Sequence, residues 1–298
     1  MARKKKKQPS MAKYSWIIAA VVIVLWGIYM FFGGGMDRYE ETPSVSENPD
    51  FRILFIDVGQ ADSALIFCEG ETMLIDGGNA EDSNLIYTVL EKYDVEHLDY
   101  VICTHAHEDH VGGLSGALQA CTVDTVYSPV TSYSSNAFRN FAEKVEERGA
   151  VITVPEAGDE FLLGSAVAQI LACDPDASDT NNTSIVLKLT YGETSFLFTA
   201  DAEHAVENAL LYDGVDLKAD VLKVGHHGSN TSTGEDFLRA VDPDYAIISC
   251  GKNSSYGHPN EETLVLLEEY NVPVYRTDEL GDILCTSDGK TVTIEAVN

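Results

Sequence analysis

From Phe51 onward the chain alternates short apolar runs with polar or glycine-rich breaks, and the lengths of those runs set the elements. Residues 52–58, 63–68 and 72–75 are rich in β-branched and aromatic side chains and are separated by Gly and Asp, which predicts three strands. Apolar spacings of three and four predict a helix over 84–93, followed by a strand at 100–103. Helices are predicted again at 112–120 and 136–147, with short strands near 125–127 and 151–154. A run of strands follows at 166–172, 184–190 and 195–199. The chain then alternates helix (203–212), strand (220–224), helix (233–241), strand (245–249) and helix (260–270), and closes with strands at 282–286 and 291–296. Several strands lack strict apolar–polar alternation, as expected where both faces of a sheet are covered. Strands mixed with helices at both ends of the domain predict an α/β fold, an αββα sandwich.

The N-terminal pattern is of another kind. Arg3, Lys4, Lys5, Lys6, Lys7 and Lys13 precede seventeen uncharged residues, 16–32, and no acidic residue occurs before Asp37. At about 1.5 Å per residue such a helix falls a little short of the ~30 Å hydrocarbon core, within the usual range for one span. Trp16, Trp26 and Tyr29 lie near its ends, and it passes into Gly33-Gly34-Gly35 with no A-x-A cleavage site. These features favour a transmembrane signal anchor over a cleaved signal peptide. The lysines should remain cytoplasmic, so everything after Met36 is expected outside the cell. The chain then divides into a basic tail (1–15), an anchor (16–32), a linker (33–50) and one domain (51–298).

Charge narrows the partners. Of the 19 Lys and Arg, 13 lie after Met36 together with all 48 Asp and Glu, a formal charge of −35. A nucleic-acid binder normally shows a basic face, which this composition opposes. The six cysteines are scattered with no C-x-x-C pair, and buried thiols are expected rather than a zinc ribbon or a redox pair.

The densest chemistry is His105-Ala106-His107-Glu108-Asp109-His110, placed directly after a strand and before Gly112-Gly113. Imidazole and carboxylate are the ligands that suit zinc, manganese or iron. A solvated loop has no need of three imidazoles. Asp57, Asp76 and Asp201 also end apolar strands, and His226-His227 follow residues 220–224 closely. Singly, such an Asp is more often a turn residue. Together they place acids and imidazoles at the same end of five strands, as a metal site on a sheet edge requires. Asp201 follows a strongly apolar strand, where a charge should be paired or metal-bound.

HAHEDH resembles the H-x-H-x-D-H motif of the metallo-β-lactamase superfamily. DVGQADS (57–63), IDGG (75–78), NNTSIVLKL (181–189), LFTADAE (197–203), VLKVGHHGS (221–229) and YGHP (256–259) occur in the order found in the hydrolase domain of ComEC-type competence proteins. The resemblance implies an αββα fold with a dinuclear site holding two divalent ions. By that analogy His105 and His107 hold one metal, Asp109 and His110 the other, and Asp201 bridges. One histidine of the pair completes the second site, with His227 taken as the ligand and His226 as a catalytic group beside Asp109. Asp57 and Asp76 would orient ligand imidazoles or stiffen the site. Many superfamily members supply one further histidine before a middle strand. Here Asn181, Asn182 and Ser184 stand there, which suggests a weaker first site with a preference for manganese over zinc.

Two cations ~3.5–4 Å apart would generate a nucleophile from water and stabilise the charge of a phosphoryl-transfer transition state. His258 would donate a proton to the leaving oxygen or hold a phosphate. The expected function is phosphodiester hydrolysis outside the cell, with DNA a substrate implied by the resemblance; one span excludes the channel role of such proteins. A small or cell-wall phosphate ester is the alternative within the class. A non-catalytic surface-binding protein and a di-iron redox protein are the readings outside it. The near-complete ligand set opposes the former, and the lack of a flavin-binding segment opposes the latter.

Overall fold

The computed structural model describes residues 49–252 and 254–297. The expected anchor at 16–32 and most of the linker lie outside them, and among the described residues no helix is long and apolar enough to cross a membrane. Six strands open the domain: β1 (Phe51–Phe55), β2 (Ala64–Cys68), β3 (Glu71–Ile75), β4 (His97–Ile102), β5 (Thr122–Tyr127) and β6 (Ile152–Thr153). A second set follows: β7 (Glu160–Leu163), β8 (Ala166–Ala172), β9 (Val186–Tyr191), β10 (Thr194–Phe198), β11 (Val221–Lys223), β12 (Tyr245–Ile248) and β13 (Val274–Arg276). β14 (Asp282–Ser287) and β15 (Val292–Val297) return to the first sheet. The sheet orders are β15-β14-β1-β2-β3-β4-β5-β6 and β13-β12-β11-β10-β9-β8-β7.

Three apolar cores separate four layers. Phe51, Ile53 and Phe55 of β1 face Phe196 and Phe198 of β10 between the sheets. Leu54 of the same strand faces the other way, into a core completed by Ile86 and Leu90 of the helix Ser83–Lys92 and by Phe138 and Phe141 of the helix Asn136–Glu147. Leu197 of β10 likewise turns outward to Leu210, Phe237 and Leu238 on the opposite helical layer. Alternation is thus present in the backbone but hidden in the sequence, because both faces meet apolar partners. β7 and β13 were not expected. β7 is part-exposed with little alternation, and β13 is three residues long, too short to show a period. All six thiols are free, and five of them are buried.

β3, β4 and β5 pair in parallel, as do β10, β11, β12 and β13. Parallel neighbours need a crossover back to the starting edge, usually a helix. In each sheet the C-terminal ends of these strands therefore gather at one edge. Asp76, the HAHEDH segment, Asp201 and His226-His227 all follow directly from such ends.

Candidate metal centre

The segment after β4 is held by backbone bonds before any ligand is considered. Gly77 N–H donates to His110 O at 2.8 Å, and Asp62 N–H donates to Asp109 O at 3.1 Å. The helix Glu108–Val111 follows directly from the extended His107, and Gly112-Gly113 let it lie against residues 77–80. A Cβ on Gly113 would sit 1.9 Å from Gly77 O, and one on Gly112 2.2 Å from Ala80 N. No side chain fits there, so the close approach that aims His110 depends on glycine.

Asp201 lies at the middle of the cluster, with its side chain almost wholly buried. Its Oδ1 lies 3.3 Å from His110 Nε2 and 3.8 Å from His227 Nε2. Its Oδ2 lies 3.8 Å from His105 Nε2 and 3.5 Å from His226 Nε2. His107 Nδ1 is 3.1 Å from His105 Nε2, and Asp109 Oδ2 is 3.4 Å from His227 Nε2. Ligand atoms of Asp109, His110, Asp201 and His227 all fall within 4.8 Å of one another.

Among the described residues, His110 Nε2, His227 Nε2 and Asp201 Oδ1 are buried without a hydrogen-bond partner. Buried polar atoms are rarely left so, because each carries its full desolvation penalty. Two imidazole nitrogens and a carboxylate oxygen aimed at one point fit a divalent cation. Burial and the neighbouring His110 hold His105 well below its usual pKa, keeping it neutral as a ligand must be.

His226 and His227 occupy consecutive left-handed conformations, φ 50° and 54°. Such values are uncommon outside glycine. Here they turn the two rings 64° apart, one toward each oxygen of Asp201. The structure thus puts His226 on the side of His105, where the sequence predicts an amide or hydroxyl oxygen.

Around the cluster, Asp76 accepts from Thr104 N–H at 2.8 Å and from Thr104 Oγ1 at 2.6 Å, and its Oδ2 lies 2.8 Å from His110 Nδ1. With Nδ1 so engaged, His110 presents the Nε2 lone pair inward. Ser249 O does the corresponding work for His227, bonding its Nδ1 at 3.1 Å. The carboxylate of Asp62, a residue not among the sequence candidates, lies beside the same nitrogen with Oδ1 3.2 Å away. Asp62 Oδ2 is 2.8 Å from Lys223 Nζ, and both side chains are buried. Asp57 Oδ1 accepts from Gly59 N–H at 3.1 Å, closing the turn that carries Gln60.

The two asparagines also separate. Asn182 Oδ1 accepts from Glu203 N–H at 3.0 Å, which turns it from the ligands. Ser184 Oγ accepts from Asp201 N–H at 3.3 Å and so supports the Asp201 backbone. Asn181 lines the cavity over the cluster, and its buried Oδ1 has no partner among the described residues.

That cavity, about 350 Å³, is walled by Gln60, Asn181, Tyr256 and His258 together with His107, Glu108, Asp109, Asp201, His226 and His227. Gln60 Oε1 accepts from Gly251 N–H at 3.2 Å, so its NH₂ must face His258 Nδ1, 3.3 Å away. An amide donor requires an acceptor, so Nδ1 is unprotonated and neutral His258 carries its proton on Nε2. Burial, with His226 and His227 nearby, holds His258 below its usual pKa and favours that neutral form.

Comparison with known proteins agrees with this geometry. Residues 56–252 match the family described as "Metallo-beta-lactamase superfamily". The chain is 32% identical over 247 residues to "ComE operon protein 3" of Bacillus subtilis, covering 76% of this chain and 32% of that protein. It is 30% identical over 259 residues to "Competence protein ComA" of Neisseria gonorrhoeae, covering 86% and 34%. It thus spans about a third of the length of these relatives. The metallo-beta-lactamase fold protein YhfI of Bacillus subtilis superposes with a TM-score of 0.51 at 14% identity, over 83% of this chain and all of that one, a likeness of fold alone.

Proposed function

Because the chain belongs to the metallo-beta-lactamase superfamily and has ComEC-type competence proteins among its relatives, we propose that it is a metal-dependent phosphodiesterase, with nucleic acid as its substrate. The observation that carries this reading is the convergence of unpartnered, buried His110 Nε2, His227 Nε2 and Asp201 Oδ1 beneath a cavity that His258 overlooks. His105, His107, His226 and Asp201 Oδ2 would hold one divalent ion, zinc or manganese; Asp109, His110, His227 and Asp201 Oδ1 would hold the other. Such a pair, when bound, supplies Lewis acidity toward water and neutralises charge on a reacting phosphate.

The protein's own groups do the rest. Asp76 fixes the face that His110 presents, and Ser249 O, with the Asp62 charge beside it, fixes that of His227. His258, neutral with Nε2–H available, donates a hydrogen bond to a phosphate oxygen, a role better suited to its depressed pKa than proton donation to the leaving group. We further place the domain outside the cell, tethered through 16–32, on the strength of the basic residues before that apolar run. Protease added to intact cells should remove the domain and spare the lysine-rich tail.

The test is hydrolysis by the purified full-length chain of bis-p-nitrophenyl phosphate, single-stranded DNA and a penicillin. Turnover of the diesters but not the β-lactam, lost on chelation and in His107→Ala, is expected. A folded chain that binds two ions yet turns over no phosphate ester would favour the binding-platform reading.

A further inference from the structure

We propose that the cavity takes a single phosphodiester bearing a planar, uncharged group that stacks on Tyr256, and that it engages no phosphate beyond the reacting one. The proposal rests on the phosphodiesterase reading and narrows its substrate class to short or terminal nucleotide units.

The first observation is electrostatic. The segments that build the site and its walls are 57–63, 75–78, 104–111, 181–184, 199–204, 224–233, 249–252 and 254–260. They contain seven acidic residues against one basic residue, Lys252. Lys223, just before the 224–233 segment, is buried against Asp62. A protein that follows a strand lines its groove with Lys and Arg so that successive phosphates are neutralised. Bound cations would offset the acidity only at the centre of the cavity. A neighbouring phosphate would meet Glu108 or Glu203 and at most one lysine.

The second observation is the ring at the mouth. Tyr256 lines the cavity yet is 74% exposed. Its ring stacks on His258 with centroids 5.9 Å apart and planes 29° apart, and His258 stacks in turn on His227 at 6.5 Å and 26°. An exposed aromatic face two rings from the buried cluster is a platform for a planar group next to a phosphate held there. Base–aromatic stacking is worth about 1–3 kcal/mol, so removing the ring should weaken binding by roughly 5- to 150-fold.

The experiment is equilibrium binding to the metal-loaded, full-length chain. The ligands are phosphorothioate-linked thymidine dinucleotide, a long phosphorothioate oligothymidylate and dimethyl phosphate, at several salt concentrations. Per linkage, the two nucleotide ligands should bind within about threefold of each other, with a log–log salt slope no steeper than about −0.7, the value for one neutralised phosphate. Tyr256→Ala should weaken both about tenfold and leave dimethyl phosphate unchanged, while Tyr256→Phe should bind as the parent does. A salt slope near −3 or steeper for the long ligand, unchanged affinity in Tyr256→Ala, or no nucleotide binding at all would overturn the proposal. Hydrolysis of bis-p-nitrophenyl phosphate is read separately. Tyr256-dependent binding without turnover would sink the phosphodiesterase reading and keep this one; turnover with Tyr256-independent binding would do the reverse.

Discussion

His226 Nε2 lies 3.5 Å from Asp201 Oδ2, whereas its neighbour His227 is placed 3.8 Å from the other oxygen, Oδ1. Two adjacent residues therefore face different oxygens of one carboxylate and, in the proposed assignment, would serve different ions. His226→Ala should lose the ion shared with His105 and His107, and His227→Ala the ion shared with Asp109 and His110. Metal analysis should find each variant reduced to about half the parent's content. If His226→Ala keeps the full complement, His226 is no ligand.

The placement of His226 changes the metal preference to be expected. Three imidazoles and a carboxylate on the first side suit zinc, where an amide oxygen in place of one imidazole would have favoured manganese. After chelation, zinc should restore activity at least as well as manganese. Asn181→His adds an imidazole at the cavity and should alter the preference. Asn182→His should not, because Asn182 is held on Glu203. Reactivation by manganese alone would show that His226 does not serve the first ion.

Asp62→Asn keeps the size of the side chain but removes the charge that faces His227 Nδ1. Losing such a partner typically lowers metal affinity about 10- to 100-fold. Chelator competition should show this for one of the two ions only. Equal weakening of both would mean that Asp62 acts through overall folding.

Lys223→Met leaves Asp62 buried without its cation. Breaking a buried pair on one side costs about 3–5 kcal/mol. The double variant Asp62→Asn, Lys223→Met should recover much of that in urea unfolding. A single variant as stable as the parent would show that the pair is not isolated from water.

Removing metal should lower stability, because His110 Nε2, His227 Nε2 and Asp201 Oδ1 then lose their partner while still buried. At a free ion concentration of a hundred times the dissociation constant, binding adds about 2.7 kcal/mol. The melting temperature of the full-length chain should fall with chelator and recover with added zinc. No change on chelation would place the ions outside this cluster.

Much of this was legible in the sequence because it is local. HAHEDH packs four ligands into six positions, and the apolar runs that end in Asp76 and Asp201 mark strand ends without any tertiary information. The four-layer sandwich followed from strands apolar on both faces between helical segments. The HH pair was visible too, but not the split between its members. That split depends on two left-handed backbone conformations, which only the packing of the loop 225–228 imposes.

What the tertiary structure alone decided involves partners far apart in the chain. Asp62 meets Lys223 across 161 positions, and Gln60 meets His258 across 198. In the sequence Asp57 and Asp62 are two acids near the same strand end. The fold gives the first a turn to close and the second an imidazole to face. Asn181 and Asn182 differ in the same way, since one residue of rotation along a tight turn sends one side chain to the cavity and the other to Glu203. Composition and spacing can place donors near a strand end, but the direction each one faces is set by the backbone path and by the groups packed behind it.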